Sequence, residues 1–161
     1  LIGVVSAALV MSYAIAPITC GALRKNAPDL PRPFKVSGIA VMGPLSFIIA
    51  ALIVFWSGWS VVSWLLSVQI VLYLIYLGFK KYVPTDQVSL KQQIASSVWL
   101  IGFYAITIVI SWLGTFGGGK GLIPEPYDSI VMAVASLFVY YWGVNTGLPK
   151  AIIPDNEPEE E

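Results

Sequence analysis

Histidine is absent from the 161 residues, and Cys20 is the only cysteine. Together these exclude a disulfide within one chain and a His/Cys metal site. Cys20, near the end of an apolar run, reads as an inert packing residue. Charge is scarce as well: 11% of residues are charged, against about 25% in ordinary soluble domains. The formal net charge of zero averages basic connections against an acidic tail. No ionisable side chain lies deep in any of the long apolar blocks. Such groups mark proton relays, ion paths and intramembrane catalysis, so their lack argues against an enzyme, and no catalytic residue, metal or cofactor is expected. No basic n-region or small-residue cleavage site accompanies the first apolar run, which makes a signal peptide a poor reading. The chain opens on Leu1, already inside that run, and reads as a piece of something longer.

What is present is apolar surface in long blocks. Hydrophobic residues make up 57% of the chain, and mean hydropathy is +0.80. The blocks cover residues 1–23, 39–56, 59–79, 96–116 and 129–144. A hydrocarbon core about 30 Å thick needs about 20 helical residues, and backbone groups in lipid must bond within their own segment. The expected fold is therefore all-α, a polytopic membrane protein with five transmembrane helices across residues 1–150, followed by an acidic tail over 151–161. Barrel strands would be half as long and would alternate in polarity.

The punctuation agrees with this division. Pro28, Pro31 and Pro33 follow Arg24-Lys25 and stop the first helix. Gly43-Pro44 starts or kinks the second, and Ser57-Gly58 predicts an antiparallel hairpin of helices two and three. Pro84 breaks the next connection, and Ser89 and Gln92 have capping-box spacing for the fourth helix. Gly117-Gly118-Gly119 is expected to end that helix, with Pro124 and Pro126 keeping the following loop extended. The run Gly117–Gly121 lacks the spacing and the preceding strand of a phosphate loop, and it reads as a flexible connection. The tail from Asp155 to Glu161 has the composition of disorder.

Lysine and arginine set the orientation. Arg24, Lys25, Arg32, Lys35, Lys80, Lys81, Lys91 and Lys150 fall at one set of ends, and only Lys120 at the other. This places the C-terminus in the cytoplasm and runs the first helix from outside to inside. Trp56, Trp59, Trp112 and Tyr127 are expected at the outer interface, and Tyr76, Tyr82, Trp99, Tyr141 and Trp142 at the inner one. The basic 24–37 connection suits anionic headgroups, although topology control explains it equally well.

Small and hydroxyl residues define helix faces: Gly3, Ala7, Ala14 and Gly21 on the first helix; Ser60, Ser63 and Ser67 on the third. Ser97, Tyr104, Thr107, Ser111 and Gly114 do so on the fourth, and Ser129, Ala133, Ser136, Gly143 and Gly147 on the fifth. Close helix packing with hydrogen bonds between helices is the first reading of these faces; the alternative is a water path. Gln69, the most polar side chain deep in the third helix, is expected to bond a neighbouring helix.

One stretch carries a resemblance. Residues 12–18, SYAIAPI, are followed by ALRKNAPDLPRPF at 22–34. This is similar to the C-terminal half of the amino acid–polyamine–organocation (APC) permeases, in which a helix ends in such a basic, proline-rich string. Phe55-Trp56-Ser57-Gly58-Trp59 looks like members of that family too. The resemblance implies helices ten to fourteen of an inverted-repeat transporter, similar to the fourteen-helix, aspartate–proton symporter-like branch. It implies a secondary active amino-acid permease or symporter in the cell membrane, coupled to protons or sodium and working by alternating access. Its partners would be the bilayer, further N-terminal helices of the same protein and an amino-acid substrate; no nucleic acid is expected. The main substrate site would lie upstream. Ser12, Tyr13 and Pro17 are then candidates for the permeation path or a hinge, against ordinary packing with a static kink. A membrane scaffold or assembly subunit is the alternative function.

Overall fold

The computed structural model describes residues 2–29, 31, 38–79 and 89–147. The basic residues Arg32, Lys35, Lys80, Lys81 and Lys150, with Tyr82, Pro33, Phe34, Pro84 and the 151–161 tail, lie outside the described residues. Five helices are present: α1 (Ile2–Asn26), α2 (Ile39–Phe55), α3 (Trp59–Phe79), α4 (Leu90–Leu113) and α5 (Tyr127–Asn145). Among them α1, α3, α4 and α5 are long and apolar enough to cross a membrane. The second expected span is 17 residues long, about 25 Å at helical rise and shorter than the other four. The chain is a multi-pass membrane segment.

Helix ends depart from the apolar blocks for local reasons. Helix α4 starts at Leu90, six residues before its apolar block, because Ser89 caps it: the Gln92 amide donates to Ser89 Oγ at 3.4 Å, and that hydroxyl donates to Gln92 Oε1 at 3.1 Å. The Ser89 half of the expected box is there, with the Gln92 side chain on the Ser89 hydroxyl in place of its amide, and the cap extends the helix through the polar Lys91-Gln92-Gln93. At its other end α4 stops at Leu113, ahead of the expected glycine triplet, with Gly114 as the capping residue.

The loop after α4 is not the flexible connection its glycines suggested. Its amides return to the terminal carbonyls of α4, which have no partner within the helix. Lys120 N–H bonds Trp112 O at 2.6 Å, Gly121 N–H bonds Gly114 O at 3.1 Å, and Leu122 and Ile123 N–H both bond Leu113 O. Thr115 adds two bonds to Ile123 O, one from its amide and one from its hydroxyl. Gly117, Gly118 and Gly121 have positive φ, a backbone region that glycine enters without steric cost. The triplet therefore permits a tight fold-back. Nor is the proline stretch simply extended: Tyr127 N–H bonds Pro124 O at 2.9 Å and the chain enters α5 at once.

Helices α2 and α5 share the centre: α1, α2 and α4 pack on α5, and α1 packs closely on α2, while α3 lies mainly against α4. The short turn after α2 forms as expected, with Trp56, Ser57 and Gly58 between the helices and Gly58 N–H bonded to Phe55 O at 3.2 Å. Helices α2 and α3 nonetheless share little surface; α2 packs chiefly on α1 and α5. Gly58 also faces Gly117 closely enough that a side chain on Gly117 would overlap it. With Trp59 N–H bonded to Gly117 O at 3.0 Å, the α4–α5 loop is wedged against the turn.

The centre of the bundle is aromatic. Phe47 meets Phe103 at 5.1 Å, Tyr140 at 6.2 Å and Trp99 at 6.5 Å between ring centroids. Trp99, expected at the inner interface, is instead 7% exposed inside this cluster. Trp56, Trp112 and Tyr127 are exposed at the end holding the glycine loop, and Lys120 lies 5.7 Å above the Trp112 ring, a cation–π distance.

Candidate functional site

Helix α1 has two faces. Ala7, Met11, Ala14 and Ile18 repeat at helical spacing and are buried against the bundle. Gly21 sits beneath Tyr140 and Val144 of α5, and Gly3 faces Val61, so the expected small-residue face is a packing face. The sequence-derived candidates lie elsewhere. Tyr13 is 72% exposed, Ser12 is exposed and Pro17 half-buried. Tyr13 and Pro17 are one turn apart and so share a side of the helix. Pro17 has no N–H to offer the carbonyl four residues back, which is that of Tyr13. The Ser12 hydroxyl donates to Leu9 O at 2.7 Å, and Thr19 donates to Ile15 O at 3.1 Å. The structure thus brings Ser12, Tyr13 and Pro17 to one stretch of α1 with a carbonyl freed from the helical ladder.

The hydroxyl faces of the other helices divide. On α4 and α5, Thr107, Ser111 and Ser136 are fully buried, as packing requires. Their bonds are mostly internal: Thr107 Oγ1 donates to Phe103 O at 2.8 Å and Ser136 Oγ to Met132 O at 2.8 Å, while Ser111 Oγ makes none among the described residues. On α3 the expectation fails. Val62, Leu65 and Leu66 make its buried side, while Ser60, Ser63 and Ser67 border a shallow outer groove with Trp64. Gln69 also differs from expectation. It is half-buried with no hydrogen bond among the described residues, and Tyr73, one turn on, bonds Ser97 of α4 at 2.7 Å instead.

Sequence reasoning missed Asp128. The fifth apolar block starts one residue later, yet α5 includes Asp128 in its first turn and buries it completely. One carboxylate oxygen accepts the Phe116 amide at 3.1 Å; the other accepts the Ser129 amide at 2.6 Å and the Ser129 hydroxyl at 3.3 Å. Ser129 Oγ in turn accepts Trp56 Nε1 at 3.1 Å. An acid in the first turn complements the helix dipole, and its position after Pro126-Tyr127 was the available sign. The role visible here is to tie the glycine loop and the end of α2 to the start of α5.

A groove of about 420 Å³ opens at the opposite, basic end. Helices α1 and α4 form its walls through Thr19, Leu23, Ser96 and Leu100, and the glycines of α5, Gly143 and Gly147, line it between them. Lys25 Nζ donates to Asn145 Oδ1 beside it, joining the ends of α1 and α5.

The chain is 56% identical over 153 residues, 95% of its length, to the aspartate-proton symporter of Bacillus subtilis (strain 168). It is 29% identical over 153 residues, 94% of its length, to the glutamate/serine transporter AimA of the same organism. It spans 29% and 28% of these relatives. No family model matches the chain, and no solved structure matches it. Both relatives are transporters, as the resemblance at residues 12–34 implied, and with its all-helical apolar fold the chain fits the C-terminal portion of a larger transporter.

Proposed function

We propose that the chain forms part of a secondary active amino-acid transporter that carries an acidic amino acid, aspartate before glutamate, in symport with protons. The observation that carries this reading is the 56% identity to an aspartate-proton symporter along nearly the whole chain. The C-terminus lies in the cytoplasm on the eight-to-one split of basic residues. Helix α1 stands beside the permeation path, with Tyr13 and Ser12 turned away from the bundle and Pro17 as the point about which it bends. Helices α2 and α5, with a smaller contact from α3, brace α1 from the packed side.

The test is uptake of labelled aspartate, glutamate and serine by the full-length protein in liposomes, under an inward proton gradient or an inward sodium gradient. Aspartate accumulation that follows the proton gradient and collapses with a protonophore is expected. Accumulation driven by sodium alone would overturn the coupling, and no accumulation under either gradient would favour a membrane scaffold.

A further inference from the structure

We propose that the groove between α1 and α4 is a binding site for an anionic phospholipid, one acyl chain lying along the glycines of α5 and the phosphate at the basic end. The groove spans the last two turns of α1, from Ile18 to Asn26, about 12 Å of axial length. Its walls are Ile18, Ala22, Leu23 and Leu100, with hydroxyls of Thr19, Ser96 and Ser97 interspersed. Gly143 closes the deep end, held between Ile18 and Trp99, and Gly147 lies against Ala22. A slot so lined takes hydrocarbon.

A single acyl chain laid along these residues meets apolar side chains over that length. Charge selects the headgroup. Arg24 and Lys25 lie in the last turn of α1, beside the lining residues Leu23 and Asn26, and Lys91 lies in the first turn of α4. None lines the groove; Arg24 and Lys25 are next to lining residues in the last turn of α1, with Lys25 bonded to Asn145, and long basic stems can carry charge to the headgroup level. Among the described residues Asp29 is the acid at this end. The connections that leave the same end carry Arg32, Lys35, Lys80 and Lys81 in sequence. Each basic group near an anionic surface adds about fivefold in partitioning.

The test uses the full-length protein in mild detergent, titrated with equimolar phosphatidylglycerol and phosphatidylcholine of matched chains and read by native mass spectrometry. Wild type should retain phosphatidylglycerol selectively. Arg24→Gln with Lys91→Gln should lower that retention about fivefold per charge. Thr19→Trp, which fills the groove while sparing the cations, should remove the bound lipid. Photoactivatable phosphatidylglycerol should label peptides 18–26 or 96–100 in wild type but not in Thr19→Trp. Equal retention of both lipids, unchanged retention in Thr19→Trp, or no labelling of these peptides would each overturn the site. The last result would mean that another part of the protein covers the groove. None of these readouts depends on transport, so failure here leaves the transporter reading to its own test.

Discussion

Two side chains hold the bundle together in ways their neighbours depend on. Asp128 accepts the part-buried amide of Phe116 and also satisfies Ser129. Asp128→Ala leaves those donors without partners, and each unsatisfied buried donor costs about 1–3 kcal/mol. The variant should melt lower, and hydrogen exchange should rise at 114–123 while α1 stays protected. Unchanged protection of that loop would remove the tie assigned to Asp128. Tyr140 acts by shape. Its hydroxyl fills the space that Gly43 and Gly21 leave open. Gly43→Ala should destabilise by about 1–3 kcal/mol through overpacking. Adding Tyr140→Phe, which deletes the obstructing oxygen, should recover part of that loss, so the double-mutant cycle shows coupling. Additive losses would place the strain elsewhere.

At the scale of elements, a helix and its hydrophobic block are different things. Helix α4 was legible as a span, and its cap was legible at Ser89. The block alone placed its start six residues late, because Lys91, Gln92 and Gln93 belong to the helix without belonging to the hydrocarbon. The glycine run was misread for a related reason: composition reports conformational freedom, whereas the bonds from Lys120, Gly121 and Leu122 to α4 carbonyls use that freedom to make a cap. Helix α1 carries its own experiment. Pro17→Ala returns an N–H to the Tyr13 carbonyl and removes a helix breaker, so thermal stability should not fall. If bending at Pro17 belongs to the transport cycle, uptake by the reconstituted full-length variant should drop several-fold with substrate affinity little changed. Wild-type uptake by that variant would leave Pro17 a static kink.

For the whole molecule, α1, α2 and α5 form the most closely packed part, while α3 rests mainly on α4. The proposed orientation has a direct check. In the full-length protein with Cys20 and any cysteine outside this segment replaced by Ser, Lys120→Cys should react with a membrane-impermeant maleimide on intact cells, and Lys91→Cys only after permeabilisation. The reverse pattern would invert the topology. Lys120 is the informative position because it is the single cation in the glycine loop.

The sequence by itself determined the helical class, the number of apolar segments, the turn at Ser57-Gly58 and the likeness to amino-acid permeases. These follow from run lengths, punctuation and a long string, all properties that are local along the chain. Only the tertiary structure decided which face of each helix is buried, because in lipid every face is apolar and hydropathy carries no inside. Hence Ser60, Ser63 and Ser67 look outward while Thr107 and Ser111 look inward, although both sets have the same spacing. Trp99 passed from interface ring to core aromatic, and Asp128 from loop residue to buried tie, for the same reason. Each is decided by what stands opposite, and residues opposite one another in this bundle are far apart in sequence.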